Sequence, residues 1–215
     1  MNEVELSLEK VDCEEILNLL GYSCDNPAPQ QLLERVATLL GAVSHTAKGF
    51  AATSKIKSLD QDGVLTEFGR ITSQAFSQLA NEAENVVYGV VTAGEKMDKL
   101  LHTCEDMVDS MVYDAIGSVI VEQSVDAMRM QLANQNQAYI SLPFSPGYCD
   151  YPLQEQEAIF AALGGSPLGI QYHPDSFMMT PIKTVSFVAA TGKKPLNTNP
   201  CSLCTLKKCR MRRAK

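Results

Sequence analysis

Three cysteines near the C-terminus form the motif with the clearest chemistry in this 215-residue sequence. Cys201 and Cys204 are three positions apart, and Cys209 follows five residues later. Thiolates at this spacing can bind one metal ion, and the basic residues around them favour the thiolate form. A tetrahedral site needs one more ligand, for which Cys149, Cys24 or solvent is available. The motif suits a structural zinc or an iron–sulfur cluster, and the alternative is a tail of reduced thiols.

A second group of functional side chains shares one face of a predicted helix. Glu122, Asp126 and Arg129 follow one another at positions i, i+4 and i+7, which places them on one side of an α-helix. Taken alone, the pattern is more typical of a solvent-facing ion pair between Asp126 and Arg129 than of a ligand site.

A third candidate is the turn over residues 143–148, which reads Pro-Phe-Ser-Pro-Gly-Tyr. Proline before glycine fixes a turn whose backbone can approach a ligand closely. The ring of Tyr148 can then cover an adenine or a ribose. The alternative is a turn that ends a strand and packs its tyrosine.

Two further patterns are weaker. Residues 89–94 form a glycine-bounded passage from a strand into a helix, but they lack the spacing of a phosphate-binding or dinucleotide-binding loop. A tight turn explains them better. His45, His102 and His173 have no spacing typical of metal ligands, and no catalytic triad pattern includes them.

The elements that position these groups mix helices and strands without regular β–α alternation, which predicts an α+β fold. Periodicity and caps predict helices over 13–20, 32–43, 71–84, 153–163 and a long stretch from Glu95 to about Leu132 with a kink or break at Gly117. Strands are predicted over 53–59, 85–93, 138–142, 168–172 and 183–190. The most apolar of them, 85–93, is predicted to be buried on both faces.

Composition and charge restrict the class of protein. Hydrophobic residues make up 45% of the chain and charged residues 20%, which excludes wholesale disorder. No apolar run is long enough to span a membrane, and the acidic N-terminus does not resemble a secretory signal, so we expect a cytoplasmic protein. The chain is predicted to form one domain over 1–192, with a helical N-terminal part over 1–45.

The remaining residues, 193–215, form a basic, cysteine-rich tail. They contain eight Lys and Arg and no acid, whereas the rest of the chain has 10 basic and 25 acidic residues. Such a tail can contact nucleic acid or an acidic protein. The acidic body makes nucleic-acid binding the least favoured function.

Four parts of the sequence together resemble a known family. Residues 145–152 read Ser-Pro-Gly-Tyr-Cys-Asp-Tyr-Pro, and 175–181 read Asp-Ser-Phe-Met-Met-Thr-Pro. With the opening 15–22, Glu-Ile-Leu-Asn-Leu-Leu-Gly-Tyr, and the cysteine-rich tail, they resemble the activation domain of cobalamin-dependent methionine synthase in its short, stand-alone form. The resemblance implies a single α+β domain with a mixed or antiparallel sheet and flanking helices.

The resemblance also implies a function. The family binds S-adenosylmethionine and supports reductive methylation of cob(II)alamin held by a partner, the cobalamin-binding module of methionine synthase or another corrinoid protein. A flavodoxin-like or ferredoxin-like protein donates the electron. The chain is then an accessory component of a methyltransferase and supplies no attacking side chain. Cobalamin comes from the partner, because the sequence lacks a corrinoid-binding signature.

The resemblance places the S-adenosylmethionine site on the turn. Ser145, Pro146, Gly147 and Tyr148 occupy the family's ligand-binding element. The family's arginine, which holds the ligand carboxylate, is replaced here by Pro143, and whether binding survives this change stays open.

The preceding helix supplies the rest of the implied site. Glu122 matches an acidic ligand contact suited to the ligand's ammonium group or ribose hydroxyls. Arg129 shares its helix face and is the candidate substitute for the missing arginine. A late aromatic residue of the family is replaced by Ala189.

A second hypothesis comes from another class of protein. The chain is then a non-catalytic redox or interaction protein that uses the Cys201, Cys204 and Cys209 cluster. An iron–sulfur cluster would colour the protein brown, whereas zinc or free thiols would leave it colourless.

Overall fold

The computed structural model describes residues 2–196 and Leu203. Its strands are β1 (Asn2–Ser7), β2 (Thr46–Lys55), β3 (Ser58–Asp60), β4 (Gly63–Thr66), β5 (Gly69–Thr72), β6 (Asn85–Thr92), β7 (Tyr139–Ile140), β8 (Gln171–His173), β9 (Met178–Thr180) and β10 (Thr184–Gly192). Its helices are α1 (Cys13–Leu19), α2 (Gln30–Ala42), α3 (Gln74–Leu79), α4 (Gly94–Thr103), α5 (Met107–Asn136) and α6 (Gln156–Ala162), with short 3-10 helices at Leu153–Glu155 and Pro167–Gly169.

One antiparallel sheet organises the molecule. Its strand order is β1-β2-β6-β10-β7, and every neighbouring pair is antiparallel. Two small antiparallel sheets, β3-β4-β5 and β8-β9, complete the strands. The α+β fold with an antiparallel sheet and flanking helices is therefore confirmed.

The central strands are buried on both faces because both faces of the sheet are covered. On β6 and β10, successive side chains alternate between two cores, as the two-residue period of a strand requires. The α6-side core contains Phe76, Phe144, Tyr151, Ile159 and Val188. The α5-side core on the other face contains Val91, Val121, Met128, Phe187 and Ala189.

The helices on the α5 side enclose a further apolar core, built by α1, α2, α4 and the first half of α5. Its members include Ile16, Val36, Met97, Val112 and Ile116. The predicted helices at 13–20 and 32–43 are confirmed there. Asp12 caps α1 as its sequence position indicates, because its side chain accepts hydrogen bonds from the backbone of Glu14 and Glu15.

Three sequence predictions are corrected by the fold. The N-terminal part is not helical throughout, because β1 pairs with β2 at the edge of the sheet. The helix predicted over 71–84 is only α3, since residues before it form β5. The strand predicted over 53–59 is the end of β2 followed by β3. In the first case pairing with a distant strand outweighs the local preference, whereas β5 and β3 each pair with the neighbouring β4.

The predicted break at Gly117 is also wrong. The interruption lies between α4 and α5, where Asp106 caps α5, and α5 runs without interruption past Gly117. A side chain at this position would clash, because an added Cβ would lie 2.9 Å from Cγ of Lys183. The Lys183 ammonium group contacts Asp114 at 2.7 Å and Ser118 Oγ at 2.9 Å. Glycine is therefore present for close packing and not to break the helix.

Among the described residues, no helix is both long and apolar enough to cross a membrane. β10 ends at Gly192, where the sequence analysis places the end of the domain, and the division into domain and tail stays a prediction.

Candidate functional site

The turn over residues 145–148 is attached to the edge of the main sheet at its β10 side. Phe144, just before the turn, donates its N–H to the Val188 carbonyl at 2.8 Å and accepts the Val188 N–H at 3.0 Å. Upstream, the Ser141 N–H donates to the Ala190 carbonyl at 2.8 Å. These bonds hold the start of the turn beside the middle of β10.

The turn itself presents backbone and one aromatic ring to solvent. Gly147 has a φ of +90°, in the left-handed region that glycine occupies without strain. Its N–H donates to the Tyr151 carbonyl at 2.8 Å, and the Tyr148 N–H donates to the Ser145 carbonyl at 3.1 Å. Pro146 is buried, whereas the side chain of Tyr148 is 45% exposed. The four residues that the resemblance singled out thus form one tight, partly exposed turn.

The far end of the turn is held by Asp150. Its carboxylate accepts hydrogen bonds from Ser73 Oγ and from the backbone N–H of Gln74, both at 2.6 Å, and also from the N–H of Ala75. Burial acts to raise the pKa of this carboxyl, but the hydrogen bonds from these groups outweigh it and lower the pKa below its usual value. Asp150 therefore ties the turn to the N-terminus of α3.

Replacing Asp150 with alanine is expected to lower the free energy of unfolding by about 1–2 kcal/mol at neutral pH, the usual cost of losing such helix-end hydrogen bonds. A carboxyl group whose pKa is lower in the folded than in the unfolded protein stabilises the fold at pH values above its unfolded pKa. This stabilisation is lost as the pH falls through the folded pKa. The difference between wild type and variant should therefore shrink as the pH drops below about 3.9. Urea denaturation at several pH values measures it.

Asp12→Ala provides the control for this prediction, because Asp12 caps α1 on the opposite side of the sheet. Both variants should lose stability, but only Asp150→Ala should change the position of the turn, seen in the NMR resonances of Tyr148. An Asp150→Ala protein as stable as wild type at pH 7 would contradict the anchoring role.

Beyond the turn, the backbone of Ser186 on β10 has no strand partner on the turn side within the described structure, and the residue is only 2% exposed. Val188 directs both its N–H and its carbonyl toward Phe144. Because alternate residues of an antiparallel strand direct their hydrogen bonds to the same side, Ser186 faces that edge too. Among the described residues, no backbone group pairs with it there. Its side-chain hydroxyl is buried and has no hydrogen-bond partner in the described part of the chain. Unpaired donors and acceptors next to the turn are suited to binding a polar ligand.

The α5 residues of the site lie on the other face of the sheet. Arg129 contacts Asp126 at 3.6 Å and donates through Nη1 to the Ile140 carbonyl at 3.4 Å. Its guanidinium thus supports the segment that leads into the turn. Glu122 is half-buried two helical turns earlier.

Two contacts between α5 and the β10 region indicate which part of β10 lies beside Glu122. Lys183, just before β10, contacts Ser118 of α5, and Arg129 contacts Ile140, which pairs with Thr191 near the end of β10. The helix and the strand therefore run in the same direction. With rises of about 1.5 Å per helical residue and 3.3 Å per strand residue, Glu122 lies about level with Ser186.

A cleft of about 840 Å³ lies elsewhere, where β1, β2 and the start of α4 meet. Lys48, Lys96 and Lys99 are among its lining residues, and the candidate ligand residues are not. The segment 89–94 ends at this cleft, but its last two backbone N–H groups form hydrogen bonds within the protein. The Ala93 N–H donates to the Lys183 carbonyl at 2.9 Å, and that of Gly94 to Thr92 Oγ1 at 3.1 Å. These bonds support the tight-turn interpretation of the segment.

The metal-site prediction lies outside the described residues. Cys201, Cys204 and Cys209 all belong to the part of the chain that the structure does not describe. Within residues 2–196 and at position 203, no group of three or more potential ligands could hold a metal ion.

The fold has a known counterpart. A crystal structure of the MetH reactivation domain bound to AdoHcy superimposes with a TM-score of 0.66, over 88% of this chain and 77% of that one, at 16% sequence identity. This chain has the fold of that reactivation domain. No protein-family model and no curated protein matches the sequence.

Two features of the candidate site on this reactivation-domain fold were not predicted from the sequence. Asp150 has a partial signal, since it follows the turn by two residues and aspartate is a frequent helix cap. Ser186 has no such signal in the sequence. Whether a residue in the middle of a strand lacks a backbone partner depends on which other strands pair beside it.

Proposed function

We propose that this protein binds S-adenosylmethionine at the turn and the adjoining edge of β10, and acts as a reactivation protein for a cobalamin-dependent methyltransferase. The observation that carries the proposal is the position of the turn. Phe144 holds residues 145–148 against β10 beside the unpaired backbone of Ser186. The reactivation-domain fold supports it, because the structure with that fold was obtained with AdoHcy, the demethylated product of this ligand.

The side chains present fit the parts of the ligand. The exposed ring of Tyr148 can stack on the adenine. The carboxylate of Glu122 suits the ammonium group or the ribose hydroxyls. Ser186 offers an N–H, a carbonyl and a buried hydroxyl for polar ligand atoms.

The ligand carboxylate has a different environment here. Pro143 stands where the resemblance expects an arginine, and Arg129 is engaged by Asp126 and the Ile140 carbonyl. We propose that Arg129 positions the segment before the turn, and that the backbone N–H groups of the turn and the edge receive the carboxylate. Binding is then expected to be weaker than with a dedicated arginine, because a charged bidentate pair is lost.

The reaction transfers the methyl group to the partner's cobalamin. One electron from an external flavodoxin-like or ferredoxin-like donor reduces cob(II)alamin to cob(I)alamin. The cobalt electron pair then forms the bond to the methyl carbon, the carbon–sulfur bond breaks, and its electrons remain on sulfur. Methylcobalamin and S-adenosylhomocysteine result. This protein contributes orientation, because it would hold the methyl donor at the turn, where Tyr148 is exposed.

Calorimetric titration of anaerobically purified protein with S-adenosylmethionine tests this proposal. We expect saturable binding, weakened about tenfold to a hundredfold by Glu122→Gln and by Tyr148→Ala, since loss of a charged hydrogen bond or a stacked ring costs about 1.5–3 kcal/mol. Glu34→Gln is the matched control, because Glu34 lies exposed on α2, which contacts neither the turn nor β10 in the described structure. Absence of binding at millimolar ligand, or equal binding by all variants, would refute the proposed site.

A further inference from the structure

We propose that the cleft at the end of the main sheet binds an aliphatic carboxylate, a molecule with one negative charge and a hydrocarbon body. The cleft has a volume of about 840 Å³, which lies within the usual range of small-molecule sites. None of the residues of the proposed S-adenosylmethionine site lines it. The cleft is therefore a second candidate site, separate from the proposed function.

The cleft lies where three apolar cores meet. The strands β1 and β2 contribute Leu6 and Ala47, which belong to the α5-side core. The helix α4 contributes Met97 from the core that it forms with α1, α2 and α5, and Leu168 packs against the α6-side core. Because the sheet ends here, side chains of all three cores line one space between the layers.

The apolar part of the lining is aliphatic. Its larger members are Leu6, Val43, Met97, Leu100 and Leu168. No aromatic ring of the described residues lines the cleft. A planar base would therefore have no stacking partner, whereas a hydrocarbon chain gains free energy from burial against any of these side chains. The unbranched side chain of Met97 can also adjust to the shape of a ligand.

The charged residues of the lining have one positive charge in excess. Lys48, Lys96 and Lys99 line the cleft together with two carboxylates, Glu5 and Glu95. Glu5 lies directly opposite Lys48 in the β1–β2 register, so these two charges offset each other. A single excess positive charge suits a head group with one negative charge, such as a carboxylate, better than a phosphate group with two.

Lys96 and Lys99 are the candidate contacts of the carboxylate. They lie three positions apart on α4, which places them on one side of the helix. No ion pair within the described part of the chain includes either of them. Both are exposed, and a lysine can pack its stem on apolar surface while its ammonium group stays near water. The ligand would then hold its carboxylate near solvent and its hydrocarbon chain against the aliphatic side chains.

Calorimetric titration of the full chain with decanoate tests the proposal. We expect saturable binding of one decanoate per chain. Octanoate should bind about tenfold more weakly, because it buries two CH₂ groups fewer. Decylamine has the same chain length with a positive head group, and it should also bind at least tenfold more weakly than decanoate.

A pair of double variants tests the role of the lysines. Lys96→Gln combined with Lys99→Gln should weaken decanoate binding about tenfold, because the charge-assisted contacts of the carboxylate are lost. Lys55→Gln combined with Lys57→Gln is the matched control. It removes the same charge from exposed lysines at the opposite end of β2, and it should leave decanoate binding unchanged.

NMR of the methionine methyl groups tests the location. Decanoate should shift the resonance of Met97, which lines the cleft. The resonance of Met130 should stay unchanged, although its side chain is 51% exposed, because it lies near the other end of α5. A shift of Met130 in place of Met97 would show that decanoate binds elsewhere and would overturn the assignment.

Two further results would overturn the proposal. One is the absence of saturable binding at millimolar decanoate, and the other is equal binding by the two double variants. The proposed function has a separate readout, because the variant without Lys96 and Lys99 should bind S-adenosylmethionine like wild type. Decanoate binding without S-adenosylmethionine binding would refute the proposed function and leave the carboxylate site standing.

Discussion

Gly147→Val is expected to weaken S-adenosylmethionine binding about tenfold or more while the protein stays folded. Valine at a φ of +90° is strained by about 1–3 kcal/mol. The turn can relieve this strain by moving, because the glycine is exposed and an added Cβ would meet only Leu153 at 3.6 Å. Its movement displaces the ring of Tyr148 and the backbone groups that we propose bind the ligand. Each 1.4 kcal/mol lost in binding is a tenfold change in affinity.

The matched control is Gly21→Val. Gly21 has nearly the same backbone, with a φ of +91°, and no atom within 4 Å of an added Cβ, but it lies beyond α1 on the other side of the sheet. Both variants should lose similar stability in urea, and only Gly147→Val should lose affinity in the calorimeter. If the two variants bound the ligand alike, the turn would have no part in the binding site.

Gly89→Ala is expected to have the largest effect on stability, about 3 kcal/mol of the free energy of unfolding, at the upper end of typical overpacking. Gly89 pairs with Phe187 across β6 and β10. An added Cβ would lie 2.4 Å from Cζ of Phe187. The ring is only 1% exposed, so it cannot move into solvent. The strands themselves would have to separate, next to the site on β10. Guanidinium denaturation measures the loss.

Gly41→Ala is the control, because it makes the same substitution at a position with room for a side chain. Gly41 lies in α2, and no atom is within 4 Å of an added Cβ. Alanine should therefore stabilise the helix by about 0.5–1 kcal/mol. The two variants should have opposite signs. A Gly89→Ala protein as stable as wild type would show that Phe187 has room to move.

Local signals explain which elements could be predicted. Asp12 is an N-cap in sequence and in structure, and most apolar residues of α2 and those of β6 face cores as their periods indicate. The pairing of β1 with β2 could not be predicted in this way. The segment alternates charged and apolar residues only briefly, and its partner strand lies about forty residues away. Such a strand forms because the edge strand of the sheet offers unpaired backbone groups. Local propensity does not describe the presence of such a partner.

The candidate site was likewise predictable only in part. The sequence predicted the turn at 145–148, because Pro-Gly specifies a bend wherever it occurs, and it placed Glu122, Asp126 and Arg129 on one helix face. It did not predict that Arg129 would bind the Ile140 carbonyl, or that Asp150 would bind the N-terminus of α3. Each of these contacts joins two segments that are separate in the sequence, and neither segment contains a pattern that indicates the other.

The sequence by itself determined the α+β composition, the turn, the charge of the tail and the cysteine spacing, because each depends on residue types and their local spacing. The tertiary structure decided the use of these parts. Pairing of Phe144 with Val188 leaves the backbone of Ser186 without a strand partner among the described residues, and the sheet places α5 and the turn on opposite faces. Which groups meet depends on strand order and register, and these are set by burial over the whole chain and not by any local segment.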